Sequence, residues 1–416
     1  MRIAVDGQPI EYAAGDSVAI AIVRAGQHPQ HGGTLCLAGD CGNCCAEIEG
    51  VAFTRTCLTP AQPGLRVVRH PAVGAPPLNL ASPVDPVAPP NHPVTTLNRE
   101  HADLVVIGAG ASGSAAAAEA RAQGREVEVL AGEQGHDVVG VYPGPLVVVR
   151  SSNGQMLHVH AHDVVIATGA AEIHPVCDGN MLRGIYTAGA AEQLRRAGVD
   201  LGVVATIELE RLRRIAGDDG RVNGIVDAKG AATACDSVVV TSRTKAPRDL
   251  LARMVADPHV VTVGPAASEF DLPPAPATGT VCPCSKVTVD DLEMVWDKGF
   301  QHLELVKRAS LCGTGTCQGG ACMPHLRAFV TAKSGKPAQP FTGRPASRQL
   351  TISEAAADMH LDPFRRTALH NEHVALGARM DRFGGWWRPW NYGNFLDEYW
   401  AVREGVSLGD VSTLGR

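Results

Sequence analysis

The cysteines near the N-terminus are spaced as ligands of an iron-sulfur cluster. They are Cys36, Cys41, Cys44 and Cys57. The C-x4-C-x2-C run with a distant fourth thiolate is a ligand spacing of 2Fe-2S clusters, in which one loop supplies three sulfurs. Gly39 and Gly42 lie inside this loop and permit the backbone angles that such convergence needs. The pattern predicts one-electron transfer. Structural zinc is the alternative, but zinc sites favour two C-x2-C pairs, and we interpret the neighbouring Cys45 as a small packed side chain.

A second set of cysteines lies in the C-terminal half of the chain. It comprises Cys282, Cys284, Cys317 and Cys322. The C-x-C and C-x4-C pairs predict a second 2Fe-2S cluster, although a tetrahedral zinc ion would also accept them. Cys312 is left over as a spare thiol, and Cys177 and Cys235 stand alone as candidates for buried apolar side chains.

A glycine-rich loop between a strand and a helix predicts a nucleotide site. The loop runs from Gly108 through Gly110 and Ser112 to Gly113, after an apolar strand at 104–107 and before an alanine-rich helix that reaches Gln123. Glycines there allow a tight turn and close approach of a pyrophosphate at the helix N-terminus.

The acidic residue that usually holds a ribose hydroxyl should fall near Ala131, so Glu133 is the candidate. Thr168 and Gly169 close a later strand and complete the predicted cofactor-binding residues. The alternative is a nucleotide fold that has lost its ligand.

Composition excludes several functional classes. The chain has 416 residues and a formal net charge of −6, so it can form several domains and offers no basic face for nucleic acid. Its N-terminus turns polar too early for a signal peptide, and no apolar run approaches ~18 residues. We expect a soluble cytoplasmic protein without a membrane span, whose twelve cysteines bind metal rather than form disulfides.

The elements around the first cysteine loop indicate a β-grasp domain. Strands at 2–5 and 10–12 flank an Asp6-Gly7 turn, Asp16 is predicted to cap a helix over 17–25, and a strand follows at 46–48. This order resembles the ferredoxin-like domain of heteromeric amine dehydrogenases and hydrogen cyanide synthase, over residues 1–71.

The middle of the chain resembles flavoproteins that contain two dinucleotide-binding domains. The phrase from Asp163 to Gly169 is similar to the strand that returns beside their flavin, and 184–202 and 235–241 resemble later pieces. A second glycine fingerprint, expected soon after Gly202, is absent. We therefore expect a shortened fold that binds at most one nucleotide and has no NADH site of its own.

The second cysteine set resembles the bacterioferritin-associated-ferredoxin type of 2Fe-2S domain over about residues 280–335. Thr288 and Asp291 predict the capping of a helix over 289–298, which Gly299 ends.

Aromatic residues concentrate in the last stretch, where Trp386, Trp387, Trp390 and Trp400 lie, and they predict either a partner surface or a core. This stretch resembles the opening of an aminomethyltransferase-type folate domain. His370 and His373 suggest a metal pair, with surface or packing roles as the alternative.

The order of these parts resembles the α subunit of heterotetrameric sarcosine oxidase and the heteromeric proline, hydroxyproline and opine dehydrogenases. The fold class predicted is multidomain α/β and α+β, with a β-grasp ferredoxin domain, a truncated Rossmann-like dinucleotide fold and a small helical 2Fe-2S domain. The predicted segments are 1–75 (ferredoxin-like), 76–103 (Pro-rich linker), 104–275 (dinucleotide-binding), 276–340 (second 2Fe-2S domain) and 341–416 (aromatic-rich tail).

The resemblance implies an electron-transfer subunit of a flavin-dependent dehydrogenase for a secondary or N-methylated amino acid. It implies two 2Fe-2S clusters, FAD (or structural NAD or ATP) at the Gly108 loop, FMN at a subunit interface, and an FAD-containing β-type partner with further small subunits. No catalytic acid/base pair or triad is legible in the chain, so the substrate site is expected on the partner. The alternatives are a zinc or iron-sulfur scaffold with a vestigial nucleotide fold and a self-contained flavin oxidoreductase.

Overall fold

The structure is a computed structural model that describes residues 1–71, 95–152, 154–357 and 365–413. The chain divides into two compact units, Met1–Ala357 and Asp358–Arg416. Most of the predicted Pro-rich linker, residues 76–94, lies outside the described residues.

A five-stranded sheet and one helix form the N-terminal part. The elements are β1 (Arg2–Val5), β2 (Gln8–Glu11), α1 (Val18–Arg24), β3 (Cys45–Ile48), β4 (Val51–Arg55) and β5 (Arg66–Val68). The strand order is β2-β1-β5-β3-β4, with β1 and β5 parallel. Ile3, Val5 and Ile22 are almost fully buried where α1 covers the sheet, so alternating apolar residues give the domain its own core.

Ser17, and not the predicted Asp16, caps α1. The Ser17 hydroxyl accepts a hydrogen bond from the Ile20 amide at 3.3 Å. Asp16 instead accepts from the Ala13 amide and forms an ion pair with Arg24 in the last turn, at 2.9 Å. The buried carboxylate thus joins the two ends of the helix, because a neighbouring serine already satisfies the orphan amide.

The middle of the chain contains a parallel sheet and a second, smaller lobe. The elements are β6 (Leu97–Ile107), α2 (Ala111–Ala122), β7 (Val127–Leu130), β8 (His136–Tyr142), β9 (Leu146–Ser151), β10 (Met156–Ile166), β11 (Ala170–Glu172), β12 (Ile185–Thr187), α3 (Ala188–Arg196), β13 (Val204–Glu208), β14 (Leu212–Asp218), β15 (Arg221–Asp227), β16 (Ala232–Ala234), β17 (Ser237–Thr241), β18 (Lys245–Pro247) and β19 (Val260–Thr262). β6 begins at Leu97, so residues 97–103 of the predicted linker are strand.

Strands β7, β6, β10 and β19 run parallel, while β9 and β8 continue the sheet in antiparallel fashion. Ile107 and Ile166 are register partners at the ends of β6 and β10. The Gly108 loop and the Ala167–Gly169 turn therefore leave the sheet at the same carboxyl edge, where parallel sheets bind ligands.

The smaller lobe contains a parallel sheet β12-β17-β13 and an antiparallel sheet β14-β15-β16. After β13 the chain enters a short 3-10 helix at Leu209–Arg211 and then β14. In the described residues, β13 is therefore not followed by a phosphate-binding turn and helix. This agrees with the absence of a second glycine fingerprint from the sequence.

The second cysteine domain is largely helical. Its elements are β20 (Thr280–Cys282), β21 (Val287–Thr288), α4 (Val289–Asp297), α5 (Leu303–Ser310), α6 (Met323–Ser334) and, further along, α7 (Ile352–Ala355). The predicted capping box is present, since Thr288 and Asp291 exchange side-chain and backbone hydrogen bonds. Phe341 is buried in this core, so part of the predicted aromatic-rich tail lies in the first unit.

The C-terminal unit consists of β22 (Arg365–Arg366), α8 (His370–Ala375), β23 (Arg379–Phe383), β24 (Trp386–Asn391) and α9 (Phe395–Glu404). Its sheet order is β22-β24-β23. Trp390 and Trp400 are 55% and 52% exposed, whereas Trp386 and Trp387 are half-buried. Among all the described residues, no helix is both long and apolar enough to cross a membrane.

Candidate metal centres and nucleotide loop

The four predicted cysteines of the first loop lie together in the interior. Cys36, Cys41, Cys44 and Cys57 are between 1% and 9% exposed, and we call them the N-terminal cysteine group. The Cys36 and Cys41 sulfurs are 3.4 Å apart. Leu37, Gly39 and Gly42 have φ angles of 50°, 77° and 72°, so the loop doubles back as the glycine pattern predicted.

Backbone amides point at these sulfurs. The Ala38 amide donates to the Cys36 sulfur at 3.5 Å, and the Asn43 amide donates to the Cys41 sulfur at 3.4 Å. The hydrogen bond from Cys41 is the main reason why the pKa of Cys36 is well below that of an ordinary thiol. A buried thiol quartet with amide donors fits the chemistry of a 2Fe-2S cluster, whose sulfurs carry negative charge.

The second cysteine group contains five thiols, not four. Its members are Cys282, Cys284, Cys312, Cys317 and Cys322. The Cys284 and Cys317 sulfurs are 3.6 Å apart, and the sulfurs of Cys282, Cys312 and Cys322 all lie within 4.8 Å of one another.

Cys312, which the sequence leaves over as a spare thiol, is fully buried beside Cys282 and Cys322. Its hydrogen bond is the main reason why the pKa of Cys282 is far below that of an ordinary thiol. Cys312 precedes Cys317 by the same spacing that separates Cys317 from Cys322. This repeated spacing is the sequence feature that relates Cys312 to the other two cysteines.

The two cysteine groups are in direct contact. The Cys284 sulfur lies 3.7 Å from the Cys41 carbonyl oxygen, and Arg55 donates to the Thr316 carbonyl at 3.0 Å. A side chain at Gly42 would approach the Cys284 sulfur to 3.2 Å. Cys36, Cys41 and Cys317 share one buried cluster. The fold therefore brings together cysteines that lie far apart in the sequence.

The Gly108 loop has the geometry of a nucleotide fingerprint. Gly108 has φ 110°, and a Cβ there would lie 2.4 Å from the Ala167 carbonyl oxygen. A Cβ on Gly113 would lie 1.9 Å from the Gly108 carbonyl oxygen, so helix α2 packs closely on the loop. Gly110 caps α2 and has open space in front of it, as a phosphate would require.

The remaining residues predicted to bind the nucleotide do not lie in one site. Ser112 lies against the backbone at Gly264, and Glu133 is exposed on the 3-10 helix that follows β7. The Thr168 hydroxyl donates to the Arg248 carbonyl at 2.5 Å, and Gly169 has φ 75° beside the Arg248 guanidinium. Thr168 and Gly169 thus adjoin the Gly108 loop on one side and Arg248 on the other.

A cavity of about 130 Å³ lies between the cysteine groups and the parallel sheet. Its wall includes Asp40, Thr168, Arg248, Arg348 and Cys317, together with apolar side chains. Asp40 and Arg248 form a two-armed ion pair, with both N···O distances at 2.8 Å. Burial raises the pKa of Asp40, although Arg248 opposes the effect.

The structure does not group His370 with His373 as metal ligands in the described part of the unit. His373 is buried between the Tyr392 hydroxyl and the Asp410 carboxylate, 3.1 Å from the latter. This favours the packing role that the sequence left open.

Comparisons with known proteins agree with this arrangement. Residues 1–71 match a family described as a 2Fe-2S iron-sulfur cluster binding domain. Over 147 residues the chain is 33% identical to sarcosine oxidase subunit alpha of Corynebacterium sp. (strain U-96), covering 31% of this chain and 15% of that protein. Over 51 residues it is 55% identical to an aminomethyltransferase of Methylococcus capsulatus, covering 12% of this chain and 14% of that protein.

The chain therefore spans only about 15% of the length of these curated relatives. Its fold is similar to that of L-proline dehydrogenase from P. horikoshii, with a TM-score of 0.66 and 14% identity over 85% of this chain and 97% of that one. The predicted multidomain α/β fold class is confirmed. The chain therefore combines a 2Fe-2S cluster binding domain over residues 1–71 and a segment similar to sarcosine oxidase subunit alpha with the fold of L-proline dehydrogenase.

Proposed function

We propose that this chain is the electron-transfer subunit of a heteromeric flavin-dependent dehydrogenase that oxidises a secondary or N-methylated amino acid. The observation that carries the proposal is the contact between the two cysteine groups, where the Cys284 sulfur lies 3.7 Å from the Cys41 carbonyl. The similarity to sarcosine oxidase subunit alpha supports the reaction class. Clusters bound by two ligand loops that touch are suited to successive one-electron steps, because the electron would pass over a short distance and the protein around the clusters limits solvent access.

The proposed ligands of the first 2Fe-2S cluster are Cys36, Cys41, Cys44 and Cys57, and those of the second are Cys282, Cys284, Cys317 and Cys322. Each cluster, when bound, supplies a one-electron redox couple. The chain contributes the fixed positions of the sulfurs, the amide donors of Ala38 and Asn43, and a low-dielectric surrounding.

The Gly108 loop is the proposed site for FAD, or for a structural NAD or ATP. The open approach to Gly110 and the tight packing at Gly108 and Gly113 support a bound pyrophosphate. The cavity beside Arg248 adjoins this edge of the sheet and is lined by apolar groups and arginines, a combination that suits a planar ring with an anionic tail. FMN at a subunit interface remains part of the proposal.

The substrate site is assigned to a partner. Among the described residues, the two carboxylates of the central cavity, Asp40 and Asp249, are each ion-paired with an arginine, so they form no free acid/base pair for the oxidation of an amine. An FAD-containing β-type subunit would bind the amine, and further small subunits would complete the assembly. The proposal also includes the division of the chain into five segments, the first of which is 1–75 and the last 341–416.

Iron, acid-labile sulfide and electron paramagnetic resonance of the dithionite-reduced chain test the proposal. We expect two centres whose spectra interact magnetically, since their ligand loops touch. Cys36→Ser should remove one signal and Cys317→Ser the other, and each should abolish the interaction. Cys235→Ser is the matched control, because Cys235 is buried in a different core cluster. Absence of any reducible cluster would contradict the proposal.

The partner is tested by co-purification after co-expression with candidate flavoprotein subunits. We expect oxidation of sarcosine or proline by the complex and none by this chain alone. Oxidation by the isolated chain would contradict the assignment of the substrate site. Heat release of bound nucleotide from the isolated chain identifies the ligand of the Gly108 loop, and a protein free of nucleotide would favour the vestigial fold.

Zinc is a second candidate for the C-terminal group. The observation in its favour is the close trio of Cys282, Cys312 and Cys322, since three or four thiolates suit a tetrahedral ion. Metal analysis of the Cys36→Ser variant separates the two candidates. Two equivalents of iron and of sulfide support the second 2Fe-2S cluster, whereas one equivalent of zinc would replace it.

A further inference from the structure

His174 is a buried histidine whose ring lacks a conventional hydrogen-bond partner. It lies between β11 and β12 and is 5% exposed. Neither ring nitrogen meets hydrogen-bond geometry with an atom of the described residues. Leaving a buried N–H unpaired is costly, so a histidine enclosed in this way calls for an explanation from its neighbours.

The neighbour is the N-terminal cysteine group. A ring nitrogen of His174 lies within 4.8 Å of the sulfurs of both Cys36 and Cys41, which are themselves 3.4 Å apart. Hydrogen bonding from Cys41 and then the nearby His174 ring both lower the pKa of Cys36. The ring therefore faces the two sulfurs at the Cys36–Cys41 edge of the group.

The second cysteine domain holds His174 in place. The carbonyl of His174 accepts a 2.7 Å hydrogen bond from His325 Nε2, and His325 lies on α6, close after Cys322. Thr34 and Asn43 of the first loop and Ala321 of the second loop share a small cavity with His174. The ring is thus enclosed between the two ligand loops, with its backbone anchored from the second one.

We propose that the His174 ring donates an N–H hydrogen bond to the sulfurs of the N-terminal centre at its Cys36–Cys41 edge and thereby raises the reduction potential of that centre. The inference rests on the proposed function, because it requires a 2Fe-2S cluster on the four thiols. Reduction adds one electron to an anionic centre, and a donor to its sulfurs stabilises the added charge. His174 acts here as a positioning residue and not as a ligand.

The experiment is a redox titration of the cluster-loaded protein, followed by electron paramagnetic resonance. His174→Phe removes the donor and fills the space with a ring. We expect the reduction equilibrium of the N-terminal centre to become about tenfold less favourable, which is about 59 mV for one electron. His174→Gln keeps an N–H donor and should restore part of the potential, while the second centre keeps its potential in both variants.

His28→Phe is the matched control. His28 is also a buried histidine of the N-terminal domain, but its ring nitrogens already pair with Gly33 and Gln30. We expect this variant to leave the potential of the N-terminal centre unchanged. An equal shift in His28→Phe, or no shift in His174→Phe, would overturn the inference while leaving the electron-transfer proposal standing.

Loss of the N-terminal centre in both His174 variants would instead mark His174 as a ligand or a structural residue, and would also overturn the inference. Absence of the centre from the unmodified protein is the separate result that would refute the proposed function. The two failures are therefore distinguishable from one set of titrations.

Discussion

His28 shows how burial of one ionisable side chain links the N-terminal domain to pH. Its ring is 3% exposed and bonded to Gly33 and Gln30. Burial lowers the pKa of His28 to about 4, with hydrogen bonding to Gly33 opposing the effect. Because the unfolded chain has a histidine pKa near 6.5, protonation on acidification favours the unfolded state. The stabilisation is complete above about pH 6.5 and is lost as the pH falls towards 4.

We predict that the free energy of unfolding falls by about 2 kcal/mol between pH 7 and pH 5 through His28. The measurement is urea unfolding of the cluster-loaded protein at both pH values, followed by visible circular dichroism. His28→Gln should remove this part of the pH dependence. His31→Gln, at an exposed position three residues away, should keep it, and an unchanged slope in His28→Gln would contradict the prediction.

Individual residues were predictable from sequence where ligand spacing is local. The C-x4-C-x2-C run predicted a cysteine loop, and its four cysteines are buried, with the Cys36 and Cys41 sulfurs 3.4 Å apart. His174 was not predictable, because it is far along the chain and no sequence spacing relates it to Cys36. The position of Cys312 was not predictable either, because the sequence spacing does not show that its sulfur lies beside those of Cys282 and Cys322.

The loop that carries Gly42 is the element that sets the approach of the two cysteine groups. A Cβ at Gly42 would lie 2.8 Å from the Thr316 hydroxyl and 3.2 Å from the Cys284 sulfur. Gly42 also has φ 72°, where a side chain costs roughly 1–2 kcal/mol. The sequence therefore needs glycine here for two separate reasons.

We predict that Gly42→Ala weakens the magnetic interaction between the two reduced centres and destabilises the protein by about 2–5 kcal/mol, the sum of backbone strain and overpacking. Gly50→Ala is the control, since Gly50 has φ 84° but no atom within 4 Å of the added Cβ. It should show the strain alone, about 1–2 kcal/mol, with the interaction intact. Equal spectra for the two variants would contradict the role of Gly42.

Elements with strong local signals were predictable. The β1–β2 hairpin, the glycine loop before α2 and the capping box of α4 all follow from residues next to one another. The start of β6 at Leu97 was not predictable, because residues 98–103 are mostly polar. They adopt a strand because they pair with β10, and not because they are buried. The antiparallel sheet β14-β15-β16 was missed for a similar reason, since much of it is exposed.

At the scale of the whole molecule, the sequence predicted which parts are present but not how they meet. The order of the parts follows from motifs, whereas their contacts depend on surfaces whose partners lie far along the chain. Arg55 reaches Thr316, and Arg248 reaches Asp40 inside the first cysteine loop. These contacts make the ferredoxin-like part, the parallel sheet and the second cysteine domain one compact unit.

The pair of Asp40 and Arg248 is the clearest link between the first cysteine loop and the parallel sheet. The Asp40 side chain is 14% exposed, and Arg248 also donates to the Thr168 carbonyl. The hydrogen bonds that Arg248 donates to Asp40 raise the pKa of Arg248. Removing only the guanidinium would leave a mostly buried carboxylate without its partner, which is more costly than the absence of both charges.

We predict that Arg248→Met lowers the free energy of unfolding by about 2–3 kcal/mol, a value below that of a fully buried pair because Arg248 is partly exposed. Asp40→Asn in the same chain should recover part of the loss, so the double variant is more stable than the sum of the single changes implies. Arg243→Met is the matched control, since the pair of Arg243 and Glu208 is well exposed and worth about 0–1 kcal/mol. Urea unfolding of the four proteins and the parent measures these values. Strict additivity of Arg248→Met and Asp40→Asn would show that the pair does not couple the cysteine loop to the sheet.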